Sequence, residues 1–186
     1  MPKFAANLTM LFTEVPFLAR FERAHNAGFK AVEYLFPYAF DADILADKLQ
    51  QYGFEQALFN MPPGDWDAGE RGFAAIPGRE LEFQESVKTA LTYAKALNCK
   101  KVHAMSGIVD PRFTREQHTN TFINNIRFAA DAFAEQDIEL MIEPLNTRDA
   151  PNYFIAHQRQ AADLIRQVER PNVKLQLDLY HAQIMD

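Results

Sequence analysis

Helix-like and strand-like segments alternate strictly along this chain, and this alternation limits the possible folds more than any other feature. Each stretch with apolar residues at helical spacing is followed by a short apolar run, with a break between them such as Gly28, Gly53 or Pro171. The spacing predicts helices over residues 16–27, 41–52, 80–97, 114–135 and 157–169, and strands over 3–8, 31–35, 55–60, 100–105, 138–144 and 173–179. Elements in this order predict an α/β protein with a parallel sheet covered by helices.

The predicted sheet is either an open doubly wound sheet or a barrel. The first strand-to-helix turn, NLTMLFTEVP, contains no glycine, so it lacks the dinucleotide-binding fingerprint. Polar residues stand at the ends of the strands: Asn7, Glu33, Asn60, His103, Glu143 and Asp178. Several converging strand ends favour the mouth of a (β/α)8 TIM barrel. Because such a barrel closes at eight units, about six units predict an incomplete barrel, in a single domain over residues 1–186.

Composition and charge exclude several classes of partner. The chain has 186 residues, nearly half of them hydrophobic, and a formal net charge of -6. A nucleic-acid-binding protein needs a basic face, so this balance argues against nucleic acid. No apolar run reaches the length of a membrane span, and the N-terminus lacks the pattern of a secretory signal. With Cys99 as the single cysteine, we predict a cytoplasmic protein that acts on a small molecule without a membrane partner.

Glu143 stands where a buried strand ends. The run IELMI leads directly into Glu143, and Pro144 prevents a helix from starting at once. The carboxylate is therefore predicted to project from a rigid strand end. The alternative is a solvated loop glutamate that happens to precede a proline.

Asp178 stands at the end of the next predicted strand. Leucines alternate with polar residues in KLQLDLY, which predicts leucines packed against helices and Asp178 pointing inward. Alone, Asp178 could cap a loop or pair with an arginine. Two carboxylates on adjacent strand ends are more readily explained by a shared cation, and oxygen ligands suit Mg²⁺ or Mn²⁺. We therefore predict that Glu143 and Asp178 hold one divalent metal ion.

Other polar residues of the mouth are candidate substrate contacts. His181 is a third ligand, a hydrogen-bond donor to substrate or a plain loop histidine, and His103 faces the same mouth. The long loop after strand 3 has the composition of a lid. The candidates for substrate binding are His181, Asn7, Glu70, Trp66, His103, Arg148 and Asp149. The remaining histidines, at positions 25, 118 and 157, are interpreted as structural.

Four phrases together resemble a known family: GFKAVEYLFPY, FNMPPGDWDAGERG, IEPLNTRD and LQLDLYHAQ. The chain is similar over its whole length to the hydroxypyruvate isomerases and 2-oxo-tetronate isomerases, enzymes of carbohydrate metabolism with a xylose-isomerase-like (β/α)8 barrel. The resemblance implies a metal-dependent isomerase. It implies that Glu143 is a metal ligand and the proton donor and acceptor, that Asp178 is a metal ligand, and that His181 contacts substrate. Asp149 falls where the related epimerases carry a substrate-binding glutamate.

The resemblance also implies two further strand-helix units, with another metal ligand and a second catalytic glutamate, that have no counterpart before Asp186. We therefore expect a fragment or a truncated product, of doubtful activity by itself, whose free sheet edges favour a homo-oligomer. The rival interpretations are a ketose 3-epimerase, a metal-dependent endonuclease on the same barrel, and an inactive barrel that serves only in binding or assembly.

Overall fold

The predicted alternation of strands and helices is present in the structure, a computed structural model that describes residues 2–185. The strands are β1 (Ala5–Asn7), β2 (Ala31–Glu33), β3 (Glu55–Asn60), β4 (Lys101–His103), β5 (Glu139–Ile142) and β6 (Val173–Leu175). The helices are α1 (Phe17–Asn26), α2 (Ala42–Tyr52), α3 (Glu80–Ala96), α4 (Arg115–Ala134), α5 (Gln158–Val168) and α6 (Leu179–Met185). Only α6 was not predicted.

The six strands form one parallel sheet in the order β1-β2-β3-β4-β5-β6. Neighbouring strands pair in parallel, as where Val102 lies opposite Leu140 and Ile142 opposite Leu175, and the β2–β3 pair has a register shift between Val32 and Glu33. All carboxyl ends therefore meet on one side of the sheet. Within residues 2–185, β1 and β6 each pair with a single strand, so the prediction of an incomplete parallel barrel is confirmed.

The core lies between the sheet and the helices and is rich in phenylalanine. Its fully buried aromatic side chains are Phe21, Phe59, Phe83, Phe122, Phe133 and Phe154. Each such side chain contributes roughly 1.5–3 kcal/mol to folding through burial. Neighbouring helices pack on one another, as α3 does on α4, and they cover the outer face of the strands. No helix in the described part of the chain is long and apolar enough to cross a membrane.

The helix ends follow the signals that the sequence carries. Gly53 ends α2 with φ 66°, and Gly28 follows α1 with φ 89°, a left-handed conformation that glycine adopts without strain. Thr114 begins α4 with a reciprocal capping box, in which its side chain accepts from the Gln117 N–H and the Gln117 side chain accepts from the Thr114 N–H.

The prediction for the sixth strand is wrong beyond Leu175. The chain leaves the sheet there, and Leu179 begins a helix instead of ending a strand. Leu177 and Leu179 are 59% and 73% exposed, so the leucines do not pack against helices as predicted. In the described residues β6 has a neighbour on one side only. Asp178 accepts from the N–H of Tyr180, so a helix begins where the predicted strand would have continued.

The loop between β3 and α3, predicted as a lid, is anchored along its second half. Its Ala74 and Ala75 N–H groups donate to the carbonyl oxygens of Met105 and Ser106 after β4. A side chain at Gly72 would lie 2.3 Å from the Met105 oxygen, so only glycine fits this approach. The loop is therefore fixed to the end of β4 from residue 72 onward.

Candidate functional site

Glu143 occupies the predicted position at the end of β5, and the structure rules out a freely solvated glutamate. Its side chain is only 12% exposed. Gln176 donates a hydrogen bond of 2.9 Å from Nε2 to Glu143 Oε1. Burial, reinforced by the negative charge of Asp178, raises the pKa of Glu143 to about 8. Without a nearby cation, this carboxyl group is therefore held much of the time in its protonated form at neutral pH.

His103 lies beside Glu143 without neutralising it. The distance from His103 Nδ1 to Glu143 Oε2 is 3.7 Å, and Nδ1 lies 3.2 Å from Asn60 Oδ1. Complete burial lowers the pKa of His103 to about 3, so the imidazole is neutral and the approach is not an ion pair. His103 is fully buried at the end of β4, and its contact with substrate stays a prediction.

Asp178 follows β6 and serves as the cap of α6. Its Oδ1 accepts from the N–H of Tyr180 at 2.7 Å and, at the longer distance of 3.3 Å, from the N–H of His181. Its Oδ2 lies 4.0 Å from His181 Nε2. The capping role that the sequence left open is therefore real. Because it uses one carboxylate oxygen, the other remains available for a ligand.

His181 is held in one tautomer by the loop after β5. Its Nδ1 accepts from the Asn146 backbone N–H at 3.1 Å and lies 2.7 Å from Asn146 Nδ2. The amide orientation is assigned from its other bonds, because Asn146 Oδ1 accepts from the N–H groups of Arg148 and Asp149. An acceptor nitrogen carries no proton, so the neutral ring carries its proton on Nε2. Of the three predicted roles, this geometry favours the hydrogen-bond donor.

The donor atoms of Glu143, Asp178 and His181 all lie within 4.8 Å of one another. Two oxygens bound to one Mg²⁺ or Ca²⁺-sized cation at about 2.0–2.6 Å stand at most about 5 Å apart. The carboxylates of Glu143 and Asp178 therefore fit a shared cation, and a positive charge there would relieve the repulsion that raises the Glu143 pKa. The structure thus contains a possible metal-binding triad.

A third carboxylate, Glu33 at the end of β2, faces the same space. Asn7 Nδ2 donates to Glu33 Oε1 at 3.1 Å. Burial raises the pKa of Glu33, the Asn7 hydrogen bond opposes that rise, and the charge of Asp178 adds to it. Glu33 was predicted to stand at a strand end but not to belong to the site. Its position at a strand end was the feature of the sequence that could have placed it there. Asn7, predicted to bind substrate, orients this carboxylate.

The other predicted contacts are engaged in loop structure. Asp149 accepts from Asn146 Nδ2 at 2.9 Å and from the Tyr180 hydroxyl at 2.6 Å, which lowers its pKa and joins the β5 loop to α6. Glu70 forms an ion pair with Arg79 and accepts from the Asp65 N–H. The side chains of Asp149 and Glu70 therefore stabilise loops, and a direct contact with substrate stays a prediction for both.

Trp66 and Arg148 lie at the surface of the mouth. The Trp66 ring contacts Phe36 after β2 at 5.1 Å between ring centroids, and it is partly exposed. Arg148 is exposed, and its backbone N–H donates to Asn146 Oδ1. Their contacts with substrate stay predictions.

Comparison with known proteins agrees with the fold. The family model of the xylose isomerase-like TIM barrel matches residues 21–186. The chain is 51% identical over 186 residues to a 2-oxo-tetronate isomerase of Pectobacterium atrosepticum, covering all of this chain and 71% of the relative. It is 46% identical over 186 residues to the hydroxypyruvate isomerase of Escherichia coli, covering 72% of that protein.

Solved structures show the same architecture. A crystal structure described as AP endonuclease, family 2 from Brucella melitensis superimposes with a TM-score of 0.98 at 59% identity, covering 100% of this chain and 72% of that one. A D-allulose 3-epimerase from Methylomonas sp. shares the fold with a TM-score of 0.72 at 20% identity, covering 91% of this chain and 58% of that one.

The parallel sheet and its converging strand ends define a TIM-barrel type of α/β protein, and the chain belongs to the xylose isomerase-like TIM barrel family. Within that family its curated relatives are isomerases, and this chain is of the isomerase class.

Proposed function

We propose that this protein is a metal-dependent isomerase of a small hydroxy-carbonyl acid. The reaction would interconvert hydroxypyruvate and tartronate semialdehyde, or a 2-oxo-tetronate and its isomer. The observation that supports it best is the approach of the Glu143, Asp178 and His181 donor atoms within 4.8 Å, in a chain whose relatives carry these two isomerase names.

The residues that would hold the cation are Glu143 and Asp178, through carboxylate oxygens that suit Mg²⁺ or Mn²⁺. The chemistry that a divalent cation would supply there is stabilisation of the negative charge that develops on the substrate oxygens. His181 is assigned to substrate rather than metal, because its Nε2 carries a proton when Nδ1 accepts from Asn146.

Glu143 is assigned the proton transfer. Its carboxylate would remove a proton from the hydroxyl-bearing carbon next to the carbonyl group, which leaves an enediolate. Returning the proton to the neighbouring carbon, together with transfer of the hydroxyl proton to the former carbonyl oxygen, turns the former hydroxyl group into the new carbonyl group. Burial makes Glu143 a stronger base than an ordinary glutamate, as this step requires. The Nε2–H of His181 would donate to a substrate oxygen while charge builds up there.

Two rival activities share the barrel. The 20% identity to the D-allulose 3-epimerase supports only a shared fold. Whether the protein is a ketose 3-epimerase is therefore tested by assaying a ketohexose as substrate. The name of the Brucella structure points to nucleic acid. Against that activity, the chain has a net charge of -6, whereas binding to phosphates needs a basic face.

The test is an isomerase assay on hydroxypyruvate, a 2-oxo-tetronate and a free ketohexose, with and without Mn²⁺. It compares the 186-residue chain with a version extended by two strand-helix units from a relative. We expect turnover of one acid, dependent on Mn²⁺, in the extended form. The shorter chain should show little or none, because the resemblance implies a second glutamate on an eighth strand. Turnover of the ketohexose alone would move the assignment to the epimerases. Full activity of the shorter chain would show that the second glutamate is not needed.

We also propose self-association and a cytoplasmic location. The edges at β1 and β6 pair on one side only in the described residues, and such edges invite pairing with another copy. Light scattering after size exclusion measures this directly, and a monodisperse monomer with a cooperative melt would contradict it. The buried, unpaired Cys99 is compatible with a reducing compartment.

A further inference from the structure

An acidic substrate meets a site lined by carboxylates. The carboxylate oxygens of Glu143 and Asp178 lie within 4.8 Å of each other, and Asn7 holds a third carboxylate, that of Glu33, at the end of β2. A substrate carboxylate is therefore repelled unless a fixed cationic side chain receives it. The question is which arginine at this end of the sheet has a free hydrogen-bonding edge.

Two arginines near the mouth are already paired with carboxylates. Arg79 is paired with Glu70 and Glu82. Arg112 is paired with Asp110 through both carboxylate oxygens. An arginine whose charge is neutralised by a neighbouring carboxylate has little left to offer an incoming anion.

Arg71 is arranged differently. Its guanidinium carbon stacks 3.6 Å from the centroid of the Trp66 ring. Its Nη1 donates to two backbone carbonyl oxygens, of Trp66 at 3.0 Å and of Glu70 at 2.7 Å. Within residues 2–185, no ion pair or hydrogen bond occupies its Nε and Nη2 groups. That free edge is the one with which arginine takes a carboxylate in two parallel hydrogen bonds.

The position of Arg71 is set from both sides of the lid. Gly72, the next residue, is pressed against the Met105 backbone after β4, and Trp66 contacts Phe36, three residues beyond Glu33 on the β2 side. Stacking and two carbonyl contacts hold the guanidinium before any ligand arrives, which lowers the entropy lost on binding. Arg148, the rival cation, is exposed, and its backbone N–H, not its guanidinium, joins the Asn146 network.

We propose that Arg71, oriented by Trp66, binds the substrate carboxylate and makes the site selective for hydroxy-carbonyl acids over neutral hydroxyketones. This inference rests on the proposed function and names the part of the site that recognises its acid. Trp66 then acts as a positioning residue for Arg71.

The experiment uses the only tryptophan of the chain as its probe. Because Arg71 stacks on Trp66, a carboxylate bound to Arg71 should change the fluorescence of Trp66. Binding of tartronate and of the neutral dihydroxyacetone, with Mg²⁺ present, is measured by calorimetric titration for the wild-type chain and for Arg71→Met, Arg71→Lys, Arg148→Met and Arg112→Met, and Trp66 fluorescence reports the tartronate contact where Arg71 is present. Thermal melts confirm that each variant is folded. Arg112→Met is the matched control, because Arg112 lies at the same loops but is already paired with Asp110.

We expect Arg71→Met to weaken tartronate binding by about 10- to 100-fold, the usual effect of losing hydrogen bonds to a charged group. Dihydroxyacetone binding should not change, Arg71→Lys should recover part of the loss, and Arg112→Met should behave as wild type. An unchanged affinity in Arg71→Met, a loss found in Arg148→Met instead, or an equal loss for both ligands would overturn the proposal.

Turnover separates this inference from the proposed function. In the extended form, Arg71→Met should raise KM for the acid substrate and leave turnover of dihydroxyacetone, the uncharged analogue of hydroxypyruvate, as it is in wild type. If no acid is turned over while tartronate binding still depends on Arg71, the isomerase assignment fails and the carboxylate site stands. If an acid is turned over without dependence on Arg71, the isomerase stands and this inference fails.

Discussion

The ends of β5 and β6 both lead into a carboxylate, yet the two carboxylates are held in different ways. Glu143 leaves a strand that pairs with β4 and with β6, and its side chain is 12% exposed. Asp178 follows a strand that pairs only with β5 in the described residues, and its side chain is 37% exposed. One carboxylate is buried against hydrogen-bonding neighbours, and the other caps a helix.

This difference divides the chemistry between the two residues. Desolvation in the middle of the sheet raises the pKa of Glu143 and makes it the stronger base. Asp178 keeps contact with water and with the α6 N–H groups, so it is suited to bind a cation. Neighbouring strands, more than residue type, decide which of the two carboxylates is desolvated.

The strongest test of this division is Glu143→Gln in the extended form. Turnover of the acid substrate should fall by up to about 10⁴-fold, since removal of a general base costs this much, while the melting curve changes little. Because Glu143 is also a proposed metal ligand, metal content is measured in the same sample. A loss of turnover that simply follows loss of metal would assign Glu143 to binding and not to proton transfer.

The reactivity of a cysteine thiol distinguishes the buried interior from the exposed edge of the sheet, and Cys99 is the interior thiol. It is buried just before β4, and burial raises its pKa from 9.0 to about 12. Its thiolate fraction at pH 8 is thus about 10³-fold below that of an exposed thiol, and alkylation should slow accordingly. Leu177→Cys in a Cys99→Ala background provides the edge control, since Leu177 is exposed. Labelling rates followed by mass spectrometry check this, and equal rates would refute the burial of Cys99.

The same comparison applies to two leucines. Leu140 in β5 is fully buried, so Leu140→Ala should lower the free energy of unfolding by about 2–5 kcal/mol. Leu177→Ala beyond β6 should change it by less than about 0.5 kcal/mol, because an exposed side chain leaves no cavity. Urea denaturation measures both. A large loss in Leu177→Ala would mean that the leucine is covered in solution, for example by a second copy of the chain.

The smallest expected effect separates the two roles of Asp178. Asparagine caps helices about as well as aspartate, so Asp178→Asn should weaken binding of Mn²⁺ or Mg²⁺ without loss of stability. Asp178→Ala should weaken binding and also lower stability by about 1 kcal/mol. Calorimetric titration and thermal melts report the two quantities independently. Undiminished metal affinity in Asp178→Asn would remove Asp178 from the proposed metal site.

The order of the elements was predictable because it depends on local patterns. Apolar spacing and the breaks at Gly28 and Gly53 determine where helices end, and both glycines adopt the left-handed conformation that such a stop requires. Glu143 was predictable for the same reason, since a buried run followed by proline indicates a strand end. The sixth strand was predicted too long, because the alternating leucines carry no information about whether a neighbouring strand is there to pair with them.

The sequence by itself determined the α/β class, the parallel order and the two carboxylates, since these follow from periodicity and from the chain direction of parallel strands. Only the tertiary structure decided the proton position on His181, which depends on the N–H of Asn146, 35 residues away. It also decided that Glu33 faces Asp178 and that His118 is buried between the carbonyl oxygens of Ala75 and Asp110, where it anchors two loops. Hydrogen bonds and desolvation act between residues that the fold brings together, and spacing along the chain does not record those distances.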